Sequence, residues 1–185
     1  MFAIGFRIGN RFQLQGSWRR RITGPATVVV PIPPPIAIPG CRPGDEPPPL
    51  PSEGWLRGAA RTWNGYKGNV VLVDAWASWC PYCHVMASDI KAIGRRYASK
   101  GVVVLNITSD ARSTADAFCA KHHVSGPVLC NAESFLKSWS ADHYPMLVVI
   151  GRDGRIVWND GGARLSHRID ELGRTLCEVL DNVCD

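Results

Sequence analysis

Proline all but disappears from this chain after residue 51: 11 of its 14 prolines lie at or before Pro51, and only Pro81, Pro127 and Pro145 follow. The later stretch is therefore free to form long helices and paired strands, which proline interrupts by removing a donor and fixing φ. An uninterrupted apolar run of spanning length is also lacking. The most apolar segment, Ile22 to Cys41, is broken by Pro25, Pro31, Pro33, Pro34, Pro35 and Pro39, whereas a spanning helix needs about 20 consecutive apolar residues. Surplus positive charge is scarce where the chain should fold. Of a net +5, residues 61–185 hold 14 basic against 13 acidic side chains, which excludes a nucleic-acid surface built by concentrating Lys and Arg on one element. Nor is there a second closely spaced cysteine pair, so a zinc site at Cys80 and Cys83 would be two ligands short.

What remains is a chain of 185 residues, 45% apolar and 20% charged, which suits one soluble domain with something attached. The proline distribution divides it into a Pro-rich arm, residues 1–53, expected to be disordered, targeting or linking, and a folded domain, residues 54–185. Arg19, Arg20 and Arg21, then an apolar stretch, then Cys41, faintly resemble a bacterial lipoprotein export signal, although Pro39 and the long lead of 18 residues depart from that pattern. The resemblance implies export and lipid attachment at Cys41; the plainer reading is a stiff polyproline-like spacer.

Within the domain, Val70–Ala75 (VVLVDA) is a short β-branched run suited to a strand buried on both faces. Val85, Met86, Ile90, Ile93 and Tyr97 recur at helical spacing from Pro81 to Ser99, and Gly101 closes that helix. A strand at Val102–Ile107, a helix at Ser113–His122, an extended Pro127–Cys130 and a short helix around Ala132–Trp139 follow. Strands at Met146–Ile150 and Arg155–Trp158 flank an Asp-Gly turn and should pair as a hairpin. A last helix covers about Ser166–Leu180. Two strand-helix-strand crossovers demand parallel pairing and the hairpin demands an antiparallel edge, so the expected fold is α/β, with a central mixed sheet flanked by helices.

Chemistry concentrates in Trp79-Cys80-Pro81-Tyr82-Cys83, where the first of these strands gives way to the first long helix. Free amides and the positive pole of the helix favour the thiolate form of Cys80, and Cys83, one turn on, is placed to attack a mixed disulfide. Pro81 suits a first helical turn, where its missing donor costs little. A purely structural disulfide would need neither the helix start nor the flanking Trp. His84 follows directly and, as a cation, would favour a nearby thiolate.

Residues 70–83, VVLVDAWASWCPYC, resemble the active-site strand and motif of the thioredoxin superfamily, and the likeness extends over about residues 55–180. It implies a thioredoxin-like fold, a buried carboxylate at Asp74 beneath the cysteines, and a cis-proline at Pro145. The long span from Cys83 to Pro145 is similar to periplasmic thiol-disulfide proteins of the TlpA and ResA type, implying a periplasmic or otherwise extracytoplasmic place. Ser88, Ala75 and Tyr144 depart from the usual family residues. The expected function is thiol-disulfide oxidoreductase, as a reductase of protein disulfides. Cys80 would be the nucleophile, Cys83 the resolving thiol and Asp74 the proton acceptor, with Trp79, Tyr82, Tyr144 and Pro145 binding substrate. For Asp74 the bland alternative is a water-exposed carboxylate at the strand end. No cofactor or metal is expected beyond the Cys80–Cys83 redox pair. Expected partners are protein disulfides and an upstream thiol-disulfide electron donor, with no nucleic acid, a membrane contact only through the N-terminal region, and a monomeric state. The rivals are a non-catalytic binding module on the same fold and a copper chaperone.

The remaining cysteines bear on compartment. Cys119 and Cys130 could meet across a short loop; Cys177 and Cys184 could meet only if the last helix unwinds by Asp181 or Asn182, because a continuous helix holds them too far apart. Extra bridges would suggest an oxidising compartment and leave Cys41 unpaired; buried free thiols are the alternative. His122 and His123 with Cys119 and Cys130 can be drawn as a metal site, but adjacent helical histidines diverge by about 100° and do not readily share an ion.

Overall fold

The computed structural model describes residues 41–141, 143–160 and 165–180. The Arg19–Arg21 run, the proline-broken stretch up to residue 40, and Cys184 lie outside the described residues. In chain order the elements are β1 (Trp55–Arg57), β2 (Val70–Ala75), α1 (Pro81–Tyr97), β3 (Val102–Ile107), α2 (Arg112–His122), β4 (Val128–Leu129), α3 (Glu133–Ser138), β5 (Met146–Ile150), β6 (Ile156–Asn159) and α4 (Leu165–Val179). They form one six-stranded sheet in the order β1-β4-β3-β2-β5-β6. β2 pairs in parallel with β3 and β3 with β4, while β5 runs antiparallel to β2 and β6, and β1 antiparallel to β4. The fold is thus the mixed, helix-flanked sheet expected.

β2 lies at the centre, and all six of its residues are buried, Asp74 among them, as its β-branched run led one to expect. Its period-two alternation feeds two cores. Val71, Val73 and Ala75 pack with Leu105, Phe135 and Trp139 on the α3 side; Val70 and Leu72 pack with Met86, Ile90, Leu172 and Leu176 on the α1 and α4 side. Burying such side chains stabilises the fold by about 1.5–3 kcal/mol each. α1 ends in a 3-10 turn, Ala98–Lys100, closed by Gly101 at φ +83°, a left-handed position that glycine adopts without steric cost. Val85, placed in the apolar stripe from its spacing, is instead 66% exposed. One helical residue is about 100°, and Met86 takes the inward position.

β1 was not legible from periodicity, because three half-buried residues carry no pattern. Residues 41–53, assigned to the arm, lie against the domain. Gly44 N–H donates to Ile156 O at 2.8 Å and Ile156 N–H to Asp45 O at 3.0 Å, on the outer edge of β6. The indoles of Trp63 and Trp55 donate to the carbonyls of Pro48 and Pro51 at 2.6 and 2.9 Å. Proline lacks a donor but keeps its acceptor, so a proline-rich composition does not by itself detach a segment. Among the described residues no helix is long and apolar enough to cross a membrane.

Candidate active site

The chain leaves β2 with Trp76 N–H bonded to Ile107 O at 3.0 Å, and the loop that follows delivers Cys80 to the N-cap of α1, with Pro81 in the first turn. Cys83 N–H donates to Cys80 Sγ at 3.2 Å. The sulfur therefore takes the place of a capping oxygen, and charge developing on it meets an orphan helix donor. Both cysteines are free thiols, and they are 2% and 3% exposed. Above them the rim is open: Trp79 is 70% and Tyr82 56% exposed. Trp79 meets the Tyr144 ring edge-on with centroids 5.7 Å apart, and the Tyr144–Pro145 peptide bond is cis. Met146 pairs with Ala75, which sets that bond level with the end of β2. The chain thereby gathers Cys80, Trp79 and Tyr144 at one corner of the sheet; Tyr144 also packs against the cluster that holds Cys80 and Cys83.

Asp74 is buried, at 7% exposure, which excludes the water-exposed alternative. It shares one cavity with Cys83, Ile90 and Asn106. Burial, reinforced by the charge of Asp160, pushes its carboxyl up to about 7. The Cys83 thiol is raised as well, first by burial, then by its hydrogen bond with Cys80, with the charges of Cys80 and Asp74 adding to the shift and a backbone hydrogen bond to Ala77 opposing it. The charge of Asp74 thus reaches Cys83, and a proton leaving that sulfur has a nearby group able to hold it near neutral pH.

The loop is clamped from both sides. Ser78 N–H donates to Asp110 Oδ2 at 2.7 Å, and the Ser78 carbonyl faces His84 Nε2 at 2.8 Å. His84 Nδ1 in turn lies 2.6 Å from His122 Nε2. These contacts, and the effect of Asp160 on Asp74, escaped the sequence reading; the only trace was that His84 adjoins Cys83. The metal set drawn with His122 and His123 does not assemble. His122 turns to His84, while His123 is exposed and caps α2 with φ +52°. Among the described residues no group of three or more His, Cys, Asp or Glu side chains could hold a metal.

Cys119 and Cys130 are buried free thiols and not a bridge, whereas Cys177 is disulfide-bonded. Cys41 is fully buried. Burial, then the charges of Asp160 and Asp45, push its thiol up to about 12. A sulfur packed in the core is poorly placed to carry a lipid.

The redoxin family model matches residues 52–172. The thioredoxin-like protein YneN of Bacillus subtilis (strain 168) is 27% identical over 104 residues, covering 55% of this chain and 61% of that protein. The thiol-disulfide oxidoreductase ResA of Bacillus thuringiensis subsp. konkukian (strain 97-27) is 21% identical over 108 residues, covering 57% and 62%. The chain therefore spans about six-tenths of the length of the curated relatives it matches. The crystal structure of a thiol:disulfide interchange protein of the thioredoxin family from Chlorobium tepidum TLS superposes with a TM-score of 0.62 at 20% identity, covering 75% of this chain and 97% of that one.

Proposed function

The chain belongs to the redoxin family and has a thioredoxin-like fold, and from that premise we propose that it is a thiol-disulfide oxidoreductase that reduces protein disulfides through Cys80 and Cys83. One observation carries the reading: Cys80 Sγ caps α1 and accepts the Cys83 N–H, while Cys83 shares a cavity with the buried Asp74. The Cys80 thiolate attacks one sulfur of a substrate disulfide; that S–S bond breaks and the other sulfur leaves as a thiolate. Cys83 then gives its proton to Asp74 and attacks Cys80, releasing the second substrate sulfur. Two electrons pass to the substrate and the Cys80–Cys83 disulfide remains. A resolving thiol held protonated by burial, beside a carboxyl able to take its proton near neutral pH, suits the release of a reduced product.

Trp79, Tyr82 and Tyr144 form the apolar rim over which an extended substrate would lie, and the backbone at Tyr144–Pro145 offers it hydrogen bonds as an added strand would. Returning the enzyme to its dithiol form requires an upstream thiol-disulfide donor. The bonded Cys177 favours an oxidising, extracytoplasmic compartment. The buried Cys41 favours a form without sulfur-linked lipid at that residue.

The test is insulin reduction driven by dithiothreitol, comparing wild type with Cys80→Ser. Catalysis by the wild type alone is expected. A wild type no faster than dithiothreitol by itself would leave a non-catalytic binding module as the better account.

A further inference from the structure

His84 and His122 stand on different helices, 38 residues apart in sequence, yet their ring nitrogens meet at 2.6 Å. The pairing is built rather than incidental. Both rings pack against Phe118, with centroids at 5.0 and 4.5 Å, and Phe118 itself stacks on Trp76 at 4.0 Å. Directionality follows from elementary donor rules. The Ser78 carbonyl, 2.8 Å from His84 Nε2, only accepts, so Nε2 carries the hydrogen. In a neutral ring Nδ1 is then a lone pair, and the group facing it must donate: His122 Nε2–H. The chain of donors runs His122 Nε2–H to His84 Nδ1, then His84 Nε2–H to the Ser78 carbonyl.

Resting on the thiol-disulfide reading above, we propose that His122 is a positioning residue for the Cys80 chemistry: through His84 it locks the Ser78 carbonyl and so the loop that presents Trp79 and Cys80. Without His122 the neutral His84 ring is free to exchange tautomers. The alternative tautomer turns a lone pair toward the Ser78 carbonyl, a repulsive contact that releases the loop. Among the described residues Ser78 is held on its other side by Asp110, so one clamp of two is lost. The charged and titratable groups around the relay are Lys121, beside His122 on α2, His123, which caps that helix, and Asp110 across Ser78. Burial, then repulsion from His84, Lys121 and His123, holds His122 below its ordinary value, which keeps it a neutral donor at neutral pH. A first proton taken up at His122 Nδ1 leaves both hydrogen bonds intact, because His122 Nε2–H still donates to His84 Nδ1. Only a second proton sets two donors against each other.

Two measurements on the full chain decide it. Long-range proton–nitrogen NMR of the wild type at pH 7.5 should show His84 as the Nε2–H tautomer with a hydrogen-bonded Nδ1; an Nδ1–H tautomer overturns the proposal, whatever any variant does. The rate of Cys80 alkylation by iodoacetamide should fall about fivefold in His122→Ala, the worth of one net hydrogen bond. It should return to within about twofold of wild type in His122→Gln, whose amide N–H reaches about as far as the imidazole donor. An alanine variant as fast as wild type, or a glutamine variant as slow as alanine, overturns it. Neither readout needs turnover. A wild type inert toward insulin but obeying both would sink the proposed function and spare the relay, and an active wild type failing either would do the reverse.

Discussion

Four free thiols share one buried cluster around Trp76 and Phe118, but Cys80 and Cys83 stand at the start of a helix, Cys119 near the end of one and Cys130 on none. Cys80 caps the start of α1, where its sulfur accepts the Cys83 N–H. Cys119 lies in the last turns of α2, and there the local bonding is to its carbonyl, which receives the Val124 N–H at 3.0 Å. Cys130, after β4, donates its S–H to Gly54 O at 3.2 Å and receives a long contact from Asn131 at 3.8 Å. The Cys119 thiol is raised, by burial first, with Arg57 opposing and Asp116 and Cys130 adding. Burial is common to all four. What separates Cys80 from Cys130 is that the backbone offers one sulfur a donor and the other a carbonyl, and what separates the two pairs is whether an open rim lies beside the sulfur.

That contrast breaks most readily at its strongest point. Cys80→Ser should lower insulin reduction by about a thousandfold or more, to the background of the reductant, since it removes the nucleophile. Cys119→Ala should leave the rate within about twofold and lower stability by about 1–2 kcal/mol in urea denaturation, the ordinary cost of thinning a core. Comparable losses of activity in both would show that helix polarity does not distinguish the pairs.

Asp74→Asn sharpens the next level. In stopped-flow measurements, resolution of the mixed disulfide should slow by about 100-fold or more, with the first attack little changed. Equal slowing of both steps would remove Asp74 from proton transfer.

The same carboxyl gives stability a defined pH dependence. Its folded value lies at about 7 against an ordinary 3.8, so the folded state binds the proton more tightly. The corresponding stabilisation is complete below about pH 4 and is lost as pH rises toward 7, on the order of 4 kcal/mol in all. Urea midpoints at pH 4 and pH 8 should show the decline in wild type and much less of it in Asp74→Asn. A variant that declines as steeply as wild type would place the cost elsewhere.

The smallest effect concerns the rim. Trp79→Ala should raise KM for a protein disulfide about three- to tenfold with little change in kcat, because an exposed aromatic contributes to binding before chemistry. A change confined to kcat would reassign Trp79 to the loop's geometry.

The central strand, the helix that begins beside Cys80 and the burial of Asp74 were all legible in residues 70–83, since a β-branched run, a capping position and a proline in the first turn are local signals. What escaped was non-local or patternless. Three residues at Trp55–Arg57 become a strand only because β4 is there to pair with. His84 and His122 find each other through the packing of α1 on α2, which no spacing announces. Residues 41–53 read as a detached spacer because their composition describes the backbone they adopt and not the indoles that seek their carbonyls. Val85 shows the remaining error: at spacings of three and four, neighbouring positions compete for the inward face, and sequence alone did not say that Met86 would take it.

The two hydrogen bonds that tie Gly44 and Asp45 to Ile156 also bear on how copies of this molecule behave toward one another. A sheet that ends in a bare strand invites a stranger to extend it, and here the chain's own preceding turn occupies that margin. One margin of the sheet is thereby closed to extension by a second copy, and the open margin is the three-residue strand β1 at the opposite end of the order.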